Sequence, residues 1–353
     1  MVKYLFSNKT KVLFFVLAAI ITLAGCASSK FEKNNTAIEP STTSKEKSTV
    51  TKNKDIIIAM VPKSLDNPVF LDALEQGEAI GRTLGIKIEW LGSMQSDSNE
   101  QVAIVESLIQ RGVDGIAISC IDPEKMKPII NKAVKAGIKV ATFDSDSPHS
   151  DRLFYCGTNN YAAGEACGKA LIKVLKAKGK DKQLQRLLVM TADKESNNLN
   201  ERLSGFLDTA RKGGITLNII DTLYCKDDVN IAGDMLEMYI RTGEKLDVFF
   251  STGGWPFVSP SESMTGFHAW CQNGGTSILI DTYYPVLEAA QQGMADALVG
   301  QNLKKMGELS IRNLYSVIKD GKIPSKFIDT GLELGDKSNY TQLLQEKQRW
   351  EIK

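Results

Sequence analysis

Histidine is nearly absent from this 353-residue chain, which has only His149 and His268. That leaves little for histidine-rich metal chemistry. None of the six cysteines stands in a C-x-x-C pair, so zinc ribbons and thioredoxin-like redox motifs are excluded. Surplus positive charge is missing too: 43 Lys and Arg face 42 Asp and Glu, a net of +1. A protein that grips many phosphates needs such a surplus, so no nucleic acid is expected as a partner. The chain also lacks a G-x-S-x-G elbow, an H-E-x-x-H helix, a Walker-type phosphate loop and a G-x-G-x-x-G fingerprint. What it has in quantity is apolar residues, 42%, enough at this length for the cores of two ordinary domains.

No acidic residue precedes position 26, while Lys3, Lys9 and Lys11 supply positive charge. The run from Val12 to Gly25 is fourteen residues long. A spanning helix needs about 20, so the run reads as the apolar stretch of an export signal. It ends in Leu23-Ala24-Gly25-Cys26, which resembles the bacterial lipobox. That resemblance implies that residues 1–25 are removed and that Cys26 is acylated, anchoring the chain to a membrane. Loss of the three lysines leaves 40 basic residues against 42 acidic ones. Residues 27–54 hold ten Ser or Thr, six Lys and one aromatic, with no apolar face to offset ordering entropy. They read as a flexible tether, about 30 Å long in root-mean-square span.

Beyond residue 54, apolar runs alternate with amphipathic segments. The runs are 55–61, 86–91, 114–120, 138–144 and 152–158, then 186–190, 215–225, 246–252, 276–282 and 295–300. Asn67 and Pro68 open a helix that Gly85 ends; Asp122-Pro123 opens another, and 198–213 reads as a third. Near-continuous apolar strands separated by helices predict parallel sheets covered on both faces. Ten strands divide into two fives, and the runs at 138–144 and 276–282 both close on an aspartate or just after one. The expected fold class is therefore α/β, with two similar lobes, each a doubly wound, mostly parallel sheet flanked by helices.

Ligands of such sheets bind beyond the carboxyl ends of the strands. Residues there include Asn67 and Phe70, Asp144 and Asp146, Asn200 and Arg202, Trp255, Asp281 and Gln301. Planar hydrogen-bonding groups beside aromatic faces suit a sugar, whose hydroxyls donate and accept while its ring C–H face is apolar.

These segments resemble the sugar-binding lipoproteins of ABC importers, in the ribose, galactose and glucose branch of the type I periplasmic binding proteins. The resemblance runs over residues 55–340. It implies two five-stranded lobes joined by three crossings, with 55–157 plus 302–322 forming the first lobe and 158–301 plus 323–345 the second. The crossings fall near 157–159, 301–303 and 322–327. It also implies a monosaccharide or related polyol between the lobes, delivery to an ABC permease, a monomer, and no cofactor or metal. Asn67 matches the asparagine of the N-P-x-F turn, Phe70 the aromatic after it, Asp144 and Asp281 the strand-end aspartates, and Gln301 the glutamine of the last crossover. Ser145 and Asp146 stand where many members have an arginine after the first aspartate. Asn200 falls on the position of the second-lobe arginine, with Arg202 two residues on. Trp255 follows the G-G turn of one sub-branch.

Each residue also has a plainer reading. Asn67 can cap its helix, Asp66 can be a cap or surface charge, Asp146 can form a turn, Trp255 can pack in a core and Arg202 can brace its loop. Two aspartates could also serve a glycosidase as acid and base, but the two-lobe clamp argues against an enzyme. A transcription regulator of this fold needs an N-terminal helix-turn-helix where this chain has an export signal. A receptor subunit reporting a sugar to a sensor kinase or chemoreceptor stays open beside transport. The anchor has a direct test. Metabolic labelling with palmitate is expected to mark the wild type, and Cys26→Ala is expected to be unlabelled and released or uncleaved. Equal membrane retention of the variant in detergent-free fractions would remove Cys26 as the acylation point.

Overall fold

The computed structural model describes residues 55–347. The expected export signal 1–25, Cys26 and the expected tether up to residue 54 lie outside the described residues. In the first lobe the chain runs β1 (Ile57–Val61), α1 (Leu71–Leu84), β2 (Lys87–Trp90), α2 (Ser98–Arg111), β3 (Gly115–Ile118), α3 (Pro123–Lys135), β4 (Lys139–Phe143) and β5 (Tyr155–Gly157). The second lobe follows with α4 (Asn160–Ala177), β6 (Leu184–Thr191), α5 (Asn197–Lys212), β7 (Thr216–Tyr224) and α6 (Val229–Arg241). It continues through β8 (Val248–Ser251), α7 (Thr265–Gln272), β9 (Thr276–Ile280), α8 (Tyr284–Gln291) and β10 (Ala297–Gln301). The chain ends with α9 (Leu303–Asp320), β11 (Phe327–Asp329), β12 (Leu332–Asp336) and α10 (Tyr340–Lys347).

The two sheets repeat one topology. Their strand orders are β2-β1-β3-β4-β5-β11 and β7-β6-β8-β9-β10-β12, and β1 to β5 and β6 to β10 pair parallel throughout. Strands β3, β8, β9 and β10 are buried along their whole length, as expected where helices cover both faces. The helices start and stop on local chemistry. Asp97 accepts from the amides of Asn99 and Glu100, and Asp122 from those of Glu124 and Lys125. Gly85 closes α1 at φ 66°, a left-handed conformation that a side chain would strain.

Among the described residues there are twelve strands rather than ten, and the two additional ones move a boundary. Phe327–Asp329 pairs parallel with β5 in the first sheet, so the third crossing lies at 330–331 instead of 322–327. Residues 323–329 therefore belong to the first lobe. Strand β12 then joins β10 antiparallel. Both strands sit at sheet edges and hold apolar side chains outward: Phe327 is 42% and Leu334 61% exposed. An outward apolar residue inverts the alternation that makes an edge strand visible in sequence. The helix after the second crossing, α9, returns to the first lobe, where Leu303, Met306, Ile311 and Leu314 enter the same core as Met60 and Phe143.

In the second lobe, α4 and α5 approach until backbones touch. A Cβ on Gly164 would lie 2.0 Å from the Arg202 carbonyl oxygen, and one on Gly205 2.2 Å from that of Tyr161. Only glycine permits this approach. It brings Arg202 within reach of both the first and second crossings. Gly205→Ala is therefore expected to destabilise the fold by about 1–3 kcal/mol, the usual penalty of overpacking. Urea denaturation checks it, and a wild-type midpoint would show that the helices can separate without cost.

Candidate functional site

The lobes face each other across the carboxyl ends of their strands. Val69 packs against apolar clusters of both lobes, and Asn230 of α6 donates to Asp66 Oδ2 at 3.4 Å. Asp66 thus spans the cleft, beyond the cap or surface charge expected of it. Among the described residues four non-glycine residues have φ in the left-handed region: Asp144 at 56°, Lys226 at 54°, Asp227 at 59° and Asp281 at 90°. All four follow the end of a parallel strand; Asp144, Asp227 and Asp281 are buried there, whereas Lys226 is exposed. Backbone strain of this kind persists only where surrounding structure enforces it, and it gathers at functional sites.

Asp144 follows β4 and is 6% exposed. Its Oδ2 accepts from Ser119 Oγ at 2.7 Å, and its carbonyl accepts from the Tyr155 hydroxyl at 2.7 Å. The other carboxylate oxygen accepts no hydrogen bond from the described residues. Asp281 holds the matching place after β9 and is equally buried. Gln301 Nε2 donates to its Oδ1 at 2.9 Å and the Gly254 amide to its Oδ2 at 2.9 Å. Burial raises its carboxyl above the ordinary range; Arg202 and those two donors oppose the rise, and Asp144 across the cleft adds to it. Each carboxylate oxygen can accept two hydrogen bonds, so both aspartates retain capacity for a ligand.

Around this pair the expected residues divide. Arg202 is 2% exposed with all three donor nitrogens engaged: Nε on Asn160 Oδ1 at 2.9 Å, Nη1 on the Thr252 carbonyl at 2.9 Å and Nη2 on Gln301 Oε1 at 2.5 Å. It braces the crossings and holds Gln301 toward Asp281. Asn67 is buried, and its Oδ1 caps the turn Pro68–Phe70 through the Val69 amide. Phe70 lies in the first-lobe core, edge-on to Phe143 at 6.4 Å, so its ring is engaged in packing. Asp146 forms a two-point pair with Arg152, at 2.6 and 2.5 Å, and also accepts from Thr142 and the Ser147 amide. Its Oδ1 is thereby saturated and its charge paired, though it borders a cavity of about 350 Å³ shared with Asn160 and Asn198.

Asn200 is displaced from the expectation: it is exposed and donates to the Lys194 carbonyl at 2.8 Å. Residue 200 lies roughly 200° around α5 from Arg202, whereas Asn198 at i−4 shares its face. Asn198 is buried, and its Oδ1 has no protein partner. That i, i+4 relation was the available signal. Trp255 is also buried, and its indole N–H donates to Asp227 Oδ1.

Asp227 and Lys63 are the cleft groups that the sequence reading passed over. Asp227, in a K-D-D turn, looks like a turn former; Lys63 follows β1 without a motif. Both are buried, at 7% and 5% exposure. Burial pushes the Asp227 carboxyl up to about 6, against the pull of Lys63 and Trp255, with Asp144 and Asp193 adding to the rise. Ser64 Oγ, Asp66 Oδ1, Asn198 Oδ1 and Asp227 Oδ2 are buried polar atoms without protein partners, which is costly unless a ligand or solvent satisfies them. Among the described residues no cluster of His, Cys, Asp or Glu could hold a metal ion. Cys120, Cys156, Cys167, Cys225 and Cys271 are all free thiols.

Two lobes facing each other across buried acceptors and donors form a cleft suited to a ligand. The chain belongs to the periplasmic binding protein domain family, whose profile matches residues 58–323. It is 24% identical over 290 residues to the xylose/arabinose-binding protein XylF of Sulfolobus acidocaldarius, covering 77% of this chain and 69% of that one. It is 27% identical over 169 residues to a D-ribose/D-allose-binding protein of Pseudomonas aeruginosa, covering 45% of this chain and 51% of that protein. A solved ABC transporter solute-binding protein from Burkholderia graminis, in complex with D-arabinose, is 29% identical with a TM-score of 0.74, covering 82% of this chain and 97% of that one. These relatives are binding proteins, not enzymes.

The Asp227 carboxyl gives a pH test with a definite sign. Its value in the fold, about 6, exceeds the ordinary 3.8. Across that window the folded protein keeps a proton that the unfolded chain has lost, so stability falls as pH rises. Asp227→Asn lacks this titration. The wild-type unfolding free energy minus that of the variant is expected to decline between those two pH values and to level off above them. A flat difference in denaturation series would show that Asp227 ionises normally, and a rising one that the fold lowers its value.

Proposed function

We propose that this chain is an extracytoplasmic, lipid-anchored sugar-binding protein. It captures a monosaccharide of pentose or hexose type between its lobes and, as a monomer, delivers it to an ABC permease. The carrying observation is the pair Asp144 and Asp281, one from each lobe, both buried at strand ends with acceptor capacity unspent. Gln301, Asn198 and Asn67 add planar amides around them, and Arg202 stiffens the arrangement. The names of the relatives support the ligand class, since all three bind aldoses by their descriptions. The export signal and the L-A-G-C sequence support the location. A ligand reaching carboxylates from both lobes binds the closed state better than the open one, and that difference couples binding to closure.

Calorimetry against D-xylose, D-arabinose, D-ribose, D-glucose and D-galactose tests the reading. At least one is expected to bind, and Asp144→Ala and Asp281→Ala are each expected to weaken it by about 10- to 150-fold, the worth of hydrogen bonds to a charged group. Circular dichroism verifies that both variants fold. Near-native affinity in both folded variants would place the ligand elsewhere.

A further inference from the structure

Helix α4 gathers positive charge on one side. Residues 166–180 hold five lysines and no acid, in a chain whose basic and acidic residues nearly balance. Lys169, Lys173 and Lys176 stand at i, i+4 and i+7, so they share one face of the helix, and all three are exposed. Beside this row a groove of about 920 Å³ lies between α4 and the edge strands β10 and β12. Ala170 and Val174 line it from α4, and Leu334 lines it from β12 at 61% exposure. A sheet edge is ordinarily guarded by charge; here it shows a leucine. Four lysines line the groove, Lys169, Lys173, Lys178 and Lys337, against two acids, Asp296 and Asp336. Both acids already have partners, Lys178 at 2.9 Å and Lys173 at 3.0 Å, so pairing within the groove leaves positive charge over.

Apolar surface flanked by exposed ammonium groups matches the boundary of an anionic bilayer, where phosphate oxygens lie just above hydrocarbon. We propose that this face of the second lobe rests on an anionic lipid surface, with Lys169, Lys173, Lys176 and Lys337 at headgroup phosphates and Leu334 entering between them. The lysine stems cover apolar surface while their charged ends reach outward. A soluble acidic polymer would answer the lysines but leave Leu334 in water, so the leucine favours lipid. The face shares no residue with the cleft and is independent of which sugar binds there. The inference rests on the membrane location proposed above, because a tether of about 30 Å keeps the body within reach of the bilayer. A body held against the membrane searches fewer positions than one swinging on a free tether, which keeps it near a membrane-embedded transporter.

The test is flotation of the chain from residue 26 onward, carrying Cys26→Ala so that no acyl group contributes. The vesicles are phosphatidylglycerol and phosphatidylcholine in roughly equal parts, or phosphatidylcholine alone. This parent chain is expected to float with the anionic vesicles, to stay free of the neutral ones, and to detach in about 1 M salt, where the screening length falls to about 3 Å. Lys169→Gln, Lys173→Gln and Lys176→Gln combined are expected to lower partitioning about 100-fold, roughly fivefold for each lysine. Leu334→Ser is expected to lower it about 3- to 10-fold. Lys135→Gln, Lys245→Gln and Lys319→Gln combined remove equal charge from exposed positions on other elements and are expected to stay within about twofold of the parent. Circular dichroism verifies that every variant folds. Equal loss in this control, equal flotation on neutral vesicles, or unchanged binding after loss of the α4 lysines would overturn the proposal. So would calorimetric binding of polyglutamate as tight as vesicle binding with Leu334→Ser silent, which would make the partner an acidic polymer. Because the floated chain has no acyl group, failure here and failure of palmitate labelling at Cys26 are separate outcomes.

Discussion

The cleft depends on one buried cation. Removing a guanidinium from water costs several kcal/mol unless its donors are met, and Arg202 meets this condition through residues distant in sequence. Asn160 opens α4 just past the first crossing, Gln301 ends β10 at the second, and the Thr252 carbonyl ends β8. A charge that must be satisfied by all three fixes their relative positions. Gln301, held by Arg202 through its oxygen, presents its amide nitrogen to Asp281. The orientation of the Asp281 carboxylate in the second lobe is therefore set by Arg202 through Gln301. Two glycines make the arrangement possible, since any side chain at 164 or 205 would push α5 and its arginine away from the crossings.

The legible parts of the sequence were those where one local signal suffices. Ten parallel strands announce themselves as buried apolar runs, and the equivalence of Asp144 and Asp281 is visible as an echo at strand ends. In three dimensions the echo extends to the backbone, because both residues adopt positive φ. What the sequence concealed has physical reasons. Strands β11 and β12 are edge strands with apolar residues facing out, so neither periodicity nor hydrophobicity separates them from loop. Asn200 was favoured over Asn198 because alignment to a motif counts residues, while the helix sorts them by angle. Asp146 and Phe70 lie at informative positions, but Arg152 and Phe143, which occupy them, are brought near only by folding. The same holds for Lys63 and Asp227, ordinary residues in sequence that become unusual through burial and separation across two lobes.

The charges of the cleft also define what it can hold. Asp146 is neutralised by Arg152, and Arg202 is occupied by neutral acceptors. The remaining acids are Asp144, Asp227 and Asp281, faced by the ammonium of Lys63 and by Arg202, whose charges oppose the rise at Asp227 and Asp281 respectively. Burial already raises Asp281 and Asp227, with Asp144 adding to both, and an anionic ligand would add further repulsion. A simple cation would relieve the acids but give Lys63 nothing to donate to. A neutral molecule whose every polar group both donates and accepts satisfies the three acids and Lys63, because each hydroxyl can point its proton at a carboxylate and its lone pairs at the ammonium. Such groups must be spread over a rigid ring to reach both lobes at once. Charge and hydrogen-bond capacity in the cleft thus fit the sugar class that the relatives of this chain bind by their descriptions.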